Sequence, residues 1–173
     1  MNSVAMPLER ARHWAALVVS ELAPLCHRIE VAGSIRRGRP VCNDIDLVLI
    51  PKDLEAVKRR CLASRGSHAI THGDCNLSFA LANGVQLDLF TAWPEERELL
   101  SFRPTNWGSV LLCRTGSKEH NVRICNAARE NGWHWDPTRG LMNARKEIIA
   151  GETEESIFKA LGLEFVRPER REA

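Results

Sequence analysis

The stretch Val31-Ala-Gly-Ser-Ile-Arg-Arg-Gly-Arg-Pro-Val-Cys-Asn-Asp-Ile-Asp-Leu-Val-Leu-Ile50 decides the reading of this chain. It starts as a strand, breaks at Gly33-Ser34, carries Arg36, Arg37 and Arg39, and enters a second strand through Asp44-Ile45-Asp46. In an extended chain residues two apart share a face, so Asp44 and Asp46 project together while Ile45, Leu47 and Leu49 turn to a core. Two carboxylates on one face raise each other's pKa unless a cation lies between them. Hard divalent ions bound by oxygen, with substrate phosphates completing the shell, suit such a pair. Gly33-Ser34 supplies a tight turn whose backbone N–H groups and hydroxyl suit a phosphate. Arg36 and Arg37 offer charge-assisted bonds to the same anion. Alone, an Asp-x-Asp strand or an Arg-rich turn is most often solvated surface. Together, with a further acid downstream, they point to a site for metal and triphosphate.

That further acid lies in Val85-Gln-Leu-Asp-Leu-Phe90, whose alternation puts Val85, Leu87 and Leu89 on one side and Gln86, Asp88 and Phe90 on the other. Asp88 joins the face of Asp44 and Asp46 if the two strands are neighbours in a sheet. Upstream, residues 7–22 predict an amphipathic helix with Leu8, Ala11, Ala15, Val18 and Leu22 as its apolar stripe, stopped by Pro24, and 27–32 predict the strand that delivers Gly33. Between the acids, a helix is expected over 52–64 with Gly66 as its stop. Strands follow near 68–71 and 77–81, and Ala82-Asn83-Gly84 is expected to turn the chain back.

After Pro94 a short helix is expected to about residue 102, and Arg103-Pro104-Thr105 reads as a boundary. Helices are expected over 106–114 and 118–131, joined by Thr115-Gly116-Ser117, then a hairpin over 133–142 around Asp136-Pro137. A last helix over 153–161 has acids in its first turn, as the helix dipole favours. The expectation is an α+β chain of two domains, 1–102 with a mixed β-sheet and two helices, and 103–173 with small helices and a β-hairpin.

Composition narrows the class. At 173 residues, 44% hydrophobic and 27% charged, the chain has room for one ordinary core or a core with a small lobe. No apolar run approaches the ~20 residues of a membrane span, and Glu9, Arg10 and Arg12 ahead of a short apolar stretch do not read as a secretory signal. The six cysteines are scattered without a Cys-x-x-Cys pair, which reads as reduced thiols in an intracellular, cytoplasmic protein. A net charge of +2 announces no nucleic-acid binder, so any such affinity would come from local, salt-sensitive patches. His68-x3-His72-x2-Cys75 lacks a clear fourth ligand and helical spacing, so zinc is not expected. Trp133 and Trp135 are expected to split between core and surface, Cys42 to pack in a loop, and His120 to take a surface or cap role.

The motif Gly33-Ser34-x-Arg36-Arg37-Gly38 followed by Asp44-x-Asp46 and Asp88 resembles the palm of family X DNA polymerases. The Gly-Ser and Asp-x-Asp parts are shared across the polymerase-beta-type nucleotidyltransferases. Thr115-Gly-Ser-Lys-Glu-His-Asn121, Gly140-Leu141 and Ala150-Gly-Glu-Thr-Glu-Glu155 with Ala160-Leu-Gly-Leu163 resemble the thumb of the bacterial members. The resemblance covers residues 7–172 and implies a minimal palm-plus-thumb form without the lyase and fingers domains.

This resemblance implies template-directed DNA synthesis, with short-gap filling in repair. Asp44, Asp46 and Asp88 would be the catalytic residues and hold two Mg²⁺ ions, for which Mn²⁺ could substitute. Nucleotide contacts would fall to Gly33, Ser34, Arg37, Asn43, Cys113, Arg114, Gly116 and Asn121, and DNA contacts to Lys118 and Arg123. The implied partners of this monomer are primer-template or gapped DNA and dNTP, with rNTP as a further candidate, and no membrane. Gln86 stands where many relatives carry arginine, and Cys113-Arg114 where an aromatic pair usually precedes Thr-Gly-Ser. The alternatives are a nucleotidyltransferase acting on tRNA, protein or a small molecule, and a non-catalytic DNA-binding module.

Overall fold

A computed structural model describes residues 5–63, 67–73, 75–81, 83–98 and 101–172. The chain forms two compact units, residues 1–91 and 92–173. Their division falls ahead of the boundary expected at 102/103. The expected stop at Gly66 and the turn residue Ala82 lie outside the described residues.

The first unit begins with β1 (Met6–Pro7) and α1 (Leu8–Leu22), followed by β2 (Cys26–Val31), α2 (Gly33–Arg36), β3 (Val41–Cys42) and β4 (Asp44–Pro51). Then come α3 (Leu54–Leu62), β5 (His68–His72), β6 (Asn76–Ala80) and β7 (Gln86–Thr91). Pro7 caps α1 in extended geometry, as a residue with fixed φ and no N–H can. Asp53 ends the preceding coil because its carboxylate accepts from Glu55 and Ala56 N–H at 2.9 and 3.2 Å, so α3 starts two residues later than expected.

A mixed five-stranded sheet of order β2-β4-β7-β6-β5 carries this unit, with β4 and β7 parallel and the other pairs antiparallel. One sheet face presents Ile45, Leu47, Leu49, Leu77, Phe79, Leu87 and Leu89, which form a single buried cluster with Ala11, Ala15 and Leu22 of α1 and Val57 and Cys61 of α3. Each large aliphatic side chain buried here contributes about 1.5–3 kcal/mol. The packing therefore fixes the register, because a slip of one residue would turn Asp44, Asp46 and Asp88 into the core.

The second unit holds β8 (Glu96–Glu98), β9 (Ser101–Arg103), α4 (Trp107–Thr115), α5 (Lys118–Glu130), β10 (His134–Asp136), β11 (Gly140–Met142), β12 (Ile148–Ala150) and α6 (Glu154–Ala160). The helix expected after Pro94 is instead the antiparallel pair β8–β9. A helix would stack Glu95 near Glu98 on one face, whereas the hairpin sets Glu96 opposite Arg103 and lays the Arg103 guanidinium over Trp93, 5.0 Å from the ring centre. The expected hairpin over 133–142 is β10–β11, extended by β12 into a three-stranded sheet. Leu112, Ile124, Ala128, Trp135, Leu141, Ala150, Ile157, Phe158 and Leu161 form the second core. Gly108 permits α4 to meet the α6 cap, since a Cβ there would lie 2.1 Å from the Thr153 carbonyl carbon.

Candidate active site

Strand β4 runs beside β7 with Asp44 opposite Gln86, Ile45 opposite Leu87 and Asp46 opposite Asp88. The condition set by the alternation is met: the strands are neighbours, and Asp44, Asp46 and Asp88 share the face turned away from the leucine core. All three are half-buried. Burial, and then the Asp88 charge, raise the Asp44 carboxyl above its ordinary value, against the pull of its own backbone N–H and of Arg37.

The carboxylates have distinct neighbours. Asp46 lies against Gly33, where a Cβ would stand 1.8 Å from its Oδ2, and Gly33 has φ +57°. Both facts demand glycine. Asp88 accepts from the Ser78 hydroxyl and from Gln86 Nε2 at 3.2 and 3.0 Å. Ser78 is directly opposite Asp88 across β6–β7. Neither residue was identified as a partner of Asp88 from the sequence, although Gln86 shares its face by alternation.

Gly33 and Ser34 open the four-residue helix α2 rather than a bare turn. The Ser34 hydroxyl is buried without a hydrogen-bond partner among the described residues, so it has unused capacity toward an oxygen-rich ligand. Arg36, expected to face the same anion as Arg37, pairs with Glu30 at 3.3 Å. Asn43 is exposed in the bend before Asp44. Cys42 packs as expected, 1% exposed and paired with Met6.

Among the described residues no three His, Cys, Asp or Glu side chains form a ready metal-ligand group. The donor chemistry nevertheless fits a hard divalent ion. All three candidates are carboxylates, they share one face of adjoining strands, and burial and then the Asp88 charge oppose ionisation of Asp44, which a bound cation would relieve.

The second unit gathers the residues expected at the sugar and base. Helix α4 ends at Gly116, φ +67°, and Ser117 caps α5 by accepting from His120 N–H at 3.3 Å. Asn121 Nδ2 donates to the Cys113 carbonyl at 2.8 Å, while Asn121 Oδ1 is buried without a partner among the described residues. Cys113 and Arg114 are half-buried, and Lys118 and Arg123 are exposed. Trp135 is core and donates to Ser109 Oγ at 2.9 Å, whereas Trp133 is half-buried.

His120 is not a surface residue. It is 4% exposed and its ring centre lies 5.7 Å from that of Phe158. Nearby, buried Arg171 donates to Glu154 at 2.7 Å and to the Val166 carbonyl at 2.9 Å, while Ser117 Oγ donates to the Arg171 carbonyl at 2.7 Å. No local motif announced this latch, since its partners lie far apart in sequence.

Residues 110–172 match the DNA polymerase beta thumb family. The chain is 26% identical over 174 aligned positions to the DNA polymerase/3'-5' exonuclease PolX of Bacillus subtilis (strain 168), covering 96% of this chain and 28% of that protein. It thus spans little more than a quarter of that curated relative. Its fold is similar to crystal structures of Leishmania infantum polymerase beta. The ternary P/T complex matches with TM-score 0.80 and 15% identity, over 99% of this chain and 78% of that one. The ternary gap complex matches with TM-score 0.79 and 14% identity, over 98% and 71%. Among the described residues no helix is long and apolar enough to cross a membrane. The family X DNA polymerase likeness implied by the motifs thus holds in the thumb sequence, in a bacterial relative aligned over nearly the whole chain, and in the fold.

Proposed function

We propose that the chain is a template-directed DNA polymerase that adds nucleotides to a primer 3′-hydroxyl and fills short gaps during DNA repair, as an intracellular monomer. The observation that carries this reading is the register that sets Asp46 against Asp88 with Asp44 on the same face. Asp44, Asp46 and Asp88 would supply the oxygen ligands for Mg²⁺, or Mn²⁺ in its place. Bound there, two such ions would lower the pKa of the primer hydroxyl and neutralise the triphosphate and the departing pyrophosphate.

The chain's own groups supply the positioning. Gly33, Ser34 and Arg37 hold the phosphates, the unpartnered Ser34 hydroxyl being the clearest support for this role. Asn43, at the entry to β4, contributes to the nucleotide side. Asn121, which already braces the Cys113 carbonyl, keeps its Oδ1 for the incoming nucleotide, with Arg114 and Gly116 beside it. Exposed Lys118 and Arg123 contact DNA phosphates, so binding weakens with salt.

The test is primer extension on a duplex with a one-nucleotide gap, using dNTPs and Mg²⁺. Addition of the template-matched nucleotide is expected. No extension on gapped, recessed or nicked duplex, with label passing instead to tRNA or protein, would overturn the reading.

A further inference from the structure

Asp88 is held by donors that carry no charge. Ser78 Oγ donates to its Oδ1, and Gln86 Nε2 reaches Oδ1 at 3.2 Å and Oδ2 at 3.0 Å. The sheet supplies both donors. Ser78 faces Asp88 across the β6–β7 ladder, and Gln86 stands two positions before Asp88 on β7, hence on the same face. Ser78 is 8% exposed between Leu77 and Phe79, each 0% exposed, so the backbone that carries the hydroxyl is fixed by the core.

A hydroxyl and an amide orient a carboxylate without neutralising it, whereas a guanidinium would cancel part of its charge. A metal-binding carboxylate needs both its direction and its charge. We propose that Ser78 and Gln86 are positioning residues that set the direction of the Asp88 carboxylate for the divalent ion of the nucleotidyl-transfer site. The inference rests on the polymerase reading above. It differs from a role in stabilising β6–β7 alone, which would change melting temperature and leave metal affinity untouched.

The experiment titrates Mn²⁺ into the full chain and follows the electron paramagnetic resonance signal of the free ion, beside the Mg²⁺ dependence of gap filling. The variants are Ser78→Ala, Ser78→Thr, Gln86→Met and Asp88→Asn. Ser78→Ala and Gln86→Met are each expected to raise the half-saturating Mn²⁺ concentration about tenfold, with much of the extension rate returning at high Mg²⁺. Ser78→Thr, which retains a hydroxyl, should move the curve back toward that of the unaltered chain.

If Asp88→Asn weakens Mn²⁺ binding while Ser78→Ala and Gln86→Met do not, the positioning role is overturned and the site stands. If Asp88→Asn also binds Mn²⁺ as the unaltered chain does, the reading of the site fails. Gln86→Met preserves side-chain length, so it decides the matter should Ser78→Ala fold poorly.

Discussion

Asp46 and Asp88 stand directly opposite each other on the parallel strands β4 and β7. A parallel pair of this kind cannot arise from a tight hairpin and needs a crossover, which α3, β5 and β6 provide here. Asp44 then falls opposite Gln86, so three carboxylates are assembled from segments some forty residues apart in sequence. Asp44→Asn, Asp46→Asn and Asp88→Asn should each lower extension by on the order of a hundredfold to a thousandfold, with circular dichroism and melting temperature little changed. A variant with near-native extension in Mg²⁺ would remove that residue from the site.

Gly33 joins backbone to chemistry. Its φ of +57° is costly for any side chain, and a Cβ would collide with the Asp46 carboxylate. Gly33→Ala is expected to cost about 1–3 kcal/mol of stability and, by displacing Asp46 and the start of α2, to lower extension about a hundredfold. Thermal melts and single-turnover extension measure the two effects separately. An alanine variant with native melting and native rate would contradict both.

The face shared by the three acids was legible because Asp44, Asp46 and Asp88 alternate with Ile45, Leu47, Leu87 and Leu89, all buried, and core packing enforces that alternation. The sheet order was not legible, since alternation reports a face and not a neighbour. The segment after Pro94 misled because Glu, Arg and Leu favour helices locally, while the Glu96–Arg103 pairing that makes it a hairpin is cross-strand. Strand β12 is three residues long, too short for a period to register. Ser78 carried no signal either: a lone serine in a buried strand has a function only once its cross-strand partner is known. His120 looked exposed because its buried neighbours Glu154 and Arg171 come from later in the chain.

His120 makes the stability of the second unit depend on pH. Burial, then Arg171 and Arg123, move its pKa down from 6.5 to about 4, against the smaller upward pull of Glu154. The unfolded chain therefore binds the proton more readily between these values. The neutral imidazole's contribution is complete above about pH 6.5 and is lost as pH falls toward 4, a change of about 2–3 kcal/mol. Melting curves from pH 7.5 to 4.5 for the unaltered chain and His120→Gln should show a steeper acid loss in the former. Parallel curves would refute the assignment.

On the polymerase reading proposed above, the end of α4 would bear on sugar selection. Cys113 and Arg114 occupy positions where the resembled polymerases commonly carry an aromatic pair, and Cys113 is the smaller wall. Its carbonyl is braced by Asn121 at 2.8 Å, so the backbone is held whatever the side chain. If the backbone alone excluded a 2′-hydroxyl, changing the side chains would alter nothing. If the side chains matter, cysteine leaves room that tyrosine would fill, and the Arg114 guanidinium can donate to a 2′-oxygen. One such contact is worth about 1–3 kcal/mol, or roughly ten- to two-hundredfold in selectivity. The expected outcome is that the unaltered chain inserts matched rNTP more readily, relative to dNTP, than the Cys113→Tyr/Arg114→Phe variant does, by at least about tenfold. Single-nucleotide insertion kinetics with both substrates measure this. Equal selectivity in the two proteins would assign the exclusion to the backbone held by Asn121.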